Sequence, residues 1–120
     1  MDKFIVWFDL PVCDMNRAKN FYEKVLDCSI DIKSYEGAKV GTITLANGSR
    51  PGCLWETEEE MPSSAGIIVY FNVQGRLEDA LKWVVQLGGR IVLPKHSMGE
   101  YGYRSIIRDT EGNRLVLHSY

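Results

Sequence analysis

The stretch Asp-Thr-Glu-Gly-Asn-Arg-Leu-Val-Leu-His-Ser, residues 109–119, joins a tight turn to a β-strand. Residues 109–113 predict the turn, because aspartate can hydrogen-bond its own backbone while glycine and asparagine tolerate positive φ angles. Side chains of the following strand alternate between two faces. Leu115 and Leu117 form an apolar face that must be core, and the opposite face carries Arg114, Val116 and His118.

The same order of strand and helix occurs twice, with an offset of about 61 residues. Residues 4–12 and 66–73 predict strands, and each is followed by an amphipathic helical stripe. Asp14 is a suitable N-cap for the first helix. The stripes share the spacing i, i+3, i+4, i+7, i+8, and their members are Ala18, Phe21, Tyr22, Val25 and Leu26 in the first half and Leu77, Ala80, Leu81, Val84 and Val85 in the second.

Short strands complete each half of the chain. They are predicted at residues 30–35, 38–45 and 52–56 in the first half and at 90–94, 101–108 and 114–118 in the second. Residues 57–64 are polar and contain a proline, so they predict a linker. The sequence therefore predicts an α+β fold with two tandem βαβββ modules, about 1–56 and 65–120. Neither module has enough core alone, so both form one domain, residues 1–120.

Composition limits the classes of partner. A chain of 120 residues with 45% hydrophobic and 25% charged residues is ordinary for one globular domain. The net charge of −2 and the lack of basic runs argue against nucleic acid and anionic membrane surfaces as partners. Cys13, Cys28 and Cys53 are an odd set without metal-binding spacing. Reduced thiols of this kind, with no signal peptide or apolar span, predict a cytoplasmic protein.

Several motifs together resemble one superfamily. In the first half they are Phe8-Asp9-Leu10-Pro11-Val12 and the pattern Arg17-Ala18-x-x-Phe21-Tyr22-Glu23-x-Val25-Leu26. In the second half they include Val69-Tyr70-Phe71-x-Val73, Leu87-Gly88-Gly89, Gly99-x-Tyr101-Gly102 and Asp109-x-Glu111-Gly112-Asn113-Arg114. They resemble the vicinal oxygen chelate superfamily of glyoxalases, bleomycin-resistance proteins and extradiol dioxygenases, and especially small proteins related to lactoylglutathione lyase. The resemblance implies two modules whose mixed sheets curl around a shared cleft.

The resemblance also implies where a metal would be held. Metalloenzymes of the superfamily place His, Glu or Gln ligands on the first and fourth strand of each module. The corresponding positions here are Trp7, Cys53, Ile68 and Val116. Three of these side chains cannot ligate a divalent metal, and one thiol is no site. We therefore expect no metal and no other cofactor.

Strand alternation predicts the lining of the implied cleft. The predicted lining residues are Trp7, Asp9, Cys53, Trp55, Ile68, Tyr70, Asn72, Arg114, Val116 and His118. This aromatic and apolar set is typical of a site for a small organic ligand. Tyr101 and Tyr103 join the ligand-binding candidates, because loop 95–103 is either a lid near the cleft mouth or a loop shaped by its glycines. The tryptophans and Tyr70 have an alternative role as interior packing.

Three classes of function stay open at the level of sequence. The leading hypothesis is a metal-free protein that binds or sequesters a small organic molecule, as bleomycin-resistance relatives do. The alternatives are a metal-dependent lyase, isomerase or dioxygenase, and a metal-free acid–base enzyme in which His118 is the catalytic residue. His118 has a structural alternative as a hydrogen-bonded side chain. Asp9 is expected to pair with Arg114 or a backbone donor, and the resemblance implies a homodimer.

Overall fold

A computed structural model describes residues 3–120, so that Met1 and Asp2 of the predicted first module lie outside the described residues. The elements follow one another in the order strand, helix and three strands, and then repeat that order. They are β1 (Asp9–Pro11), α1 (Met15–Leu26), β2 (Ser29–Tyr35), β3 (Ala38–Thr44), β4 (Cys53–Glu56), β5 (Tyr70–Asn72), α2 (Leu77–Gln86), β6 (Arg90–Ser97), β7 (Tyr103–Arg108) and β8 (Arg114–Ser119).

The eight strands form two four-stranded mixed sheets. The first sheet has the order β1-β4-β3-β2 and the second has the order β5-β8-β7-β6. β1 runs parallel to β4 and β5 runs parallel to β8, whereas all other neighbouring strands are antiparallel. The predicted α+β fold with two βαβββ modules is confirmed. The two sheets are separate in the described chain, where no ladder joins them.

The first strand of each module is shorter than predicted. Regular pairing covers only Asp9–Pro11 and Tyr70–Asn72, although residues 4–12 and 66–73 are apolar. Single backbone hydrogen bonds continue beyond the ladders, from Cys53 N–H to the Phe8 carbonyl and from Val116 N–H to the Val69 carbonyl. Apolar composition predicted strands here, but a strand needs a ladder partner along its whole length.

The hairpin between β6 and β7 also differs from the prediction. β6 continues through Pro94 to Ser97, because it is the edge strand and two register shifts accommodate the proline. β7 begins at Tyr103, two residues later than predicted, since Gly99–Tyr101 form a 3₁₀ turn. Lys95 to Ser97 therefore belong to a strand, which removes part of the loop that was one candidate for a lid.

Both helices pack their predicted stripes into one core, except that Val85 at the edge of the α2 stripe is exposed. Asp14 caps α1 as predicted, with its carboxylate accepting the Arg17 N–H at 3.1 Å. A single cluster contains buried residues of both helices and both sheets, among them Phe21, Leu54, Val84 and Leu117. Neither helix of the described residues is long and apolar enough to cross a membrane. The two modules thus share their interior.

The turn before β8 is the polar junction between the modules. The Tyr22 hydroxyl donates to Asp109, and both residues are buried. Asn113 donates to the Pro11 carbonyl at 2.7 Å and to Asp109 at 3.0 Å. Burial, followed by the nearby Asp109 charge, raises the pKa of Tyr22 well above its ordinary value. The stretch that begins as a local turn therefore also joins helix α1 and strand β1 to the second sheet.

Candidate functional site

The second sheet has an outer face that is turned away from the core, and its side chains form three cross-strand rows. The polar row contains Asn72, His118, Arg104 and His96 in register across the four strands. The apolar row contains Tyr70, Val116 and Ile106. The arginine row contains Arg114, Arg108 and Arg90. The alternate residues, such as Leu115, Leu117 and Ile107, belong to the core.

Arg104 is the centre of the polar row. Its Nε donates to His96 Nε2 at 3.0 Å, and its Nη1 donates to the Tyr70 hydroxyl. His96 Nδ1 lies 2.9 Å from the Pro94 carbonyl, which can only accept a hydrogen. His96 is therefore neutral with its proton on Nδ1, as both contacts require. The Tyr70 hydroxyl keeps its own hydrogen for a further acceptor.

His118, the predicted catalytic residue, is held by its Nε2 atom. This atom lies 2.6 Å from the Tyr101 carbonyl, so Nε2 carries the hydrogen. The ring also meets Tyr120 edge-on, with 4.9 Å between centroids. Only Nδ1 remains for chemistry, and His118 is partly buried. The same contact brings Tyr101 to the polar row through its backbone, while its side chain is exposed.

In the first sheet, Asp9 organises a second small cluster. Its Oδ1 accepts a hydrogen bond from Trp7 Nε1 at 3.0 Å and from the Cys53 thiol at 3.2 Å. The expected pairing of Asp9 with Arg114 or a backbone donor is therefore wrong, because both donors are side chains of its own module and Arg114 donates to the Gly66 carbonyl. Burial, and then the hydrogen bond to Asp9, raises the pKa of Cys53 to about 12. The thiol stays protonated near neutral pH.

The remaining predicted ligand-binding residues occupy different environments. Val116 is fully buried in the apolar row, and Ile68 is half-buried beside the start of β8. Trp55 shares the face of Cys53 but lines another depression. Tyr103 lies apart from the polar row, because alternation along β7 places it on the same face as Ser105. Its ring contacts Lys95 instead, with Nζ 5.0 Å from the ring centroid.

The four positions that hold metal ligands in the superfamily do not fit a metal ion. Ile68 and Val116 have no donor atoms, Trp7 Nε1 donates a hydrogen bond, and the Cys53 thiol is protonated. Within residues 3–120, no group of three or more His, Cys, Asp or Glu side chains is arranged to hold a metal. No reaction step through a metal is derived for these residues.

An apolar cavity of about 310 Å³ is lined by residues of the first strand segments of both modules. Trp7 and Phe8 line one side, and Tyr70 and Phe71 line the other. A larger depression of about 820 Å³ lies beside the linker, but Glu and Lys side chains make up much of its wall. The smaller cavity has the apolar, aromatic lining that small organic ligands need.

The comparison with known protein families agrees with this architecture. Residues 4–117 match the model of the Glyoxalase/Bleomycin resistance protein/Dioxygenase superfamily. The chain belongs to this superfamily. The predicted resemblance is thereby confirmed over nearly the whole sequence. No curated protein is similar enough to the chain to count as a match.

Solved structures of several other proteins share the fold at low sequence identity. A glyoxylase/bleomycin resistance protein/dioxygenase domain from Frankia sp. EAN1pec has a TM-score of 0.78 and 16% identity, and the match covers 99% of this chain and 98% of that one. The E126Q mutant of the fosfomycin resistance protein FosX from Listeria monocytogenes was solved with Mn(II) and 1S,2S-dihydroxypropylphosphonic acid. It has a TM-score of 0.74 and 16% identity, and the match covers 98% of this chain and 93% of that one. The E144Q mutant of glyoxalase I from Zea mays has a TM-score of 0.72 and 19% identity, and the match covers 94% of this chain and 45% of that one.

Sequence reasoning missed Arg104 and His96 as site residues. Alternation along β7 does place Arg104 on the face of Ile106 and Arg108, so one signal was present. His96 was hidden, because the register shifts around Pro94 change which β6 residues face Arg104. The structure brings Trp7, Asp9 and Cys53 together in one cluster and Tyr70 and His118 together in another.

Proposed function

We propose that this protein binds a small organic molecule in the apolar cavity between the two modules, without using a metal. The observation that carries the proposal is the aromatic lining from both modules, with Trp7 on one side and Tyr70 on the other. Aromatic rings offer flat apolar surface at a low cost in conformational entropy. The hydroxyl of Tyr70, held by Arg104, adds a polar group that can orient a ligand.

A neutral fluorescent probe tests the proposal. N-phenyl-1-naphthylamine has no charge, so its binding reports apolar contact alone. We expect saturable binding to the purified protein and at least a tenfold loss of affinity in Trp7→Ala and in Tyr70→Ala. Trp55→Ala and Tyr35→Ala are matched controls, because these aromatic residues line the larger polar depression instead. Loss of binding only in the controls, or no saturable binding at all, would overturn the proposal.

The two alternative functions make different predictions. A metal-dependent lyase, isomerase or dioxygenase needs donor atoms that Trp7, Ile68 and Val116 do not supply. Stoichiometric Ni, Zn or Mn in protein purified without a tag would restore this alternative. An acid–base enzyme would depend on the free Nδ1 of His118, and loss of a pH–rate profile in His118→Ala would support it. We expect no turnover of the hemithioacetal of methylglyoxal and glutathione above background.

We also propose that the protein is a homodimer. The support is the exposed apolar side chains next to the short first strands of both modules, including Phe4, Ile5 and Ile67. Exposed apolar groups of this size commonly mark a protein interface.

A further inference from the structure

Three arginines lie side by side on the outer face of the second sheet. Arg114 pairs in register with Arg108, and Arg108 pairs with Arg90 on the edge strand. Like charges directly opposite each other on a sheet are destabilising. The ion pairs found within residues 3–120 involve other basic groups, such as Arg17, Arg76 and Lys95. The arginine row therefore concentrates positive charge without a carboxylate partner in the described chain.

Two guanidinium nitrogens in this row are buried and lack an acceptor. The Nε atoms of Arg108 and Arg114 have no hydrogen-bond partner among the described residues. A buried N–H without an acceptor destabilises the fold, and more strongly when the group is charged. Native structures contain few such groups, so each one calls for an explanation. Here two of them lie on paired positions of neighbouring strands.

Backbone carbonyls of the segment before β5 hold Arg114 in place. Its Nη2 donates to the Gly66 carbonyl at 2.9 Å, and its backbone N–H donates to the Ser63 carbonyl at 3.2 Å. This anchoring uses one end of the guanidinium and leaves Nε unused. An arginine fixed in this way loses little further freedom when it binds an anion.

Apolar groups adjoin the arginine row. Val116 follows Arg114 by two residues on the same face, a distance of about 7 Å along a strand. Val116 in turn pairs with Tyr70, which lines the cavity between the modules. Val116 is fully buried, so the apolar body of a ligand bound beside the arginines would contact the exposed Tyr70 and not Val116.

We propose that Arg108 and Arg114, with Arg90 beside them, bind the carboxylate or phosphate group of a small organic ligand. Guanidinium groups present planar N–H donors that match the oxygens of both anions, and charged hydrogen bonds are the stronger kind. An anion satisfies the buried Nε groups and offsets the repulsion between the arginines. The inference rests on the proposed function for the apolar body of the ligand, and it adds the chemical class.

Calorimetric titration with simple probes tests the anion site. The probes are inorganic phosphate, phenyl phosphate, benzoate and the neutral analogue benzamide. We expect saturable binding of benzoate or phenyl phosphate, no binding of benzamide, and at least tenfold weaker anion binding in Arg108→Gln and Arg114→Gln. Arg50→Gln is the matched control, since Arg50 is an exposed arginine in another part of the chain. Its affinity should stay within twofold of the parent protein.

The probes also separate the possible anion sources. Stronger binding of phenyl phosphate than of benzoate assigns a phosphate ligand, and the reverse order assigns a carboxylate ligand. If inorganic phosphate binds as strongly as phenyl phosphate, the anion site is supported and the phenyl ring contributes little to the affinity. No saturable binding of any of the anions would overturn the inference, as would equal affinities in the three single variants.

Thermal denaturation gives a second measurement that does not depend on calorimetry. Phosphate should raise the Tm of the parent protein but not that of the variant Arg108→Gln/Arg114→Gln. Without phosphate the double variant should be at least as stable as the parent, because it removes like charges and buried unpaired donors. A phosphate response that persists in the double variant would contradict the inference.

The outcome for the anion site is distinguishable from the outcome for the cavity. N-phenyl-1-naphthylamine carries no charge, so the arginine variants should retain its binding. Anion binding without binding of this neutral probe would contradict the proposed cavity function and support the arginine site. Binding of the neutral probe without anion binding would have the opposite meaning.

Discussion

The carboxylate of Glu111 collects hydrogen bonds at the junction of the modules. It accepts from the backbone N–H groups of Cys13 and Asp14, at 2.8 Å each, and from the side chains of Arg17 and Thr110. Burial alone would raise the pKa of Glu111, but these donors outweigh it and lower the pKa to about 2. The first helix is thus fixed to the second module by an ionised group.

This depressed pKa predicts acid sensitivity. The unfolded pKa of a glutamate is about 4.3, so the stabilisation is present above that pH and is lost as the pH falls toward 2. We expect Glu111→Gln to cost roughly 1–2 kcal/mol at pH 7, after screening at the half-exposed Arg17 is allowed for. Denaturant titrations at pH 3, 5 and 7 measure the difference.

The variant should lose less stability than the parent between pH 5 and pH 3. Glu58→Gln is the control, because Glu58 is exposed in the linker. An equal acid response in Glu111→Gln and the parent would show that another carboxylate is responsible.

The turn between β6 and β7 depends on one backbone conformation. Gly102 has φ 90° and ψ −145°, a region that other residues rarely adopt. A Cβ atom there would lie 2.6 Å from the Ser119 carbonyl oxygen. The turn matters for the site, because it presents the Tyr101 carbonyl to His118.

Two glycine substitutions in this turn should differ in cost. Gly102→Ala combines strain with a steric clash, so we expect a loss of about 3 kcal/mol or more in unfolding free energy. Gly99→Ala should cost about 1 kcal/mol, since its φ of 65° is strained but no atom lies within 4 Å of the added Cβ. Thermal or denaturant unfolding distinguishes them. Equal costs would show that the Ser119 contact relaxes easily.

The sequence predicted the helices and most strands, because each carries its own periodicity. α1 and α2 follow from their apolar stripes, and α1 from its Asp14 cap. The first strands were predicted too long, since composition does not reveal how far a ladder partner extends. The length of β6 was hidden by Pro94, whose place at an edge is a property of the sheet and not of the local sequence.

The candidate site was predictable only where it follows from alternation within one strand. Tyr70, Val116 and His118 lie on one face of the sheet as alternation predicted, with Tyr70 opposite Val116 and Asn72 opposite His118. The partners of Asp9 and the role of Arg104 depend on contacts between strands that no single segment encodes. Tyr103 was grouped with Tyr101 by closeness in sequence, but the turn at Gly102 separates their environments.

A single copy of the chain exposes apolar side chains that the proposed homodimer would bury. Phe4 is fully exposed and Ile67 is 94% exposed. We expect light scattering to show a dimer at micromolar concentration. The variant Phe4→Ser/Ile67→Ser should shift the protein toward the monomer, because burial of these side chains would be lost.

Met61→Ser is the control for this experiment, since Met61 is an exposed apolar residue of the linker. It should leave the assembly unchanged. A parent protein that is monomeric at micromolar concentration would refute the homodimer.

The two modules differ in the turn before their last strand. The turn between β7 and β8 joins the modules through Asp109 and Asn113, whereas the corresponding turn between β3 and β4 makes local bonds, such as Ser49 N–H to Asn47. The two halves are therefore not interchangeable. A hybrid chain assembled from two first modules would keep the ladders of both sheets, yet it would lack the buried polar contacts that hold one half against the other.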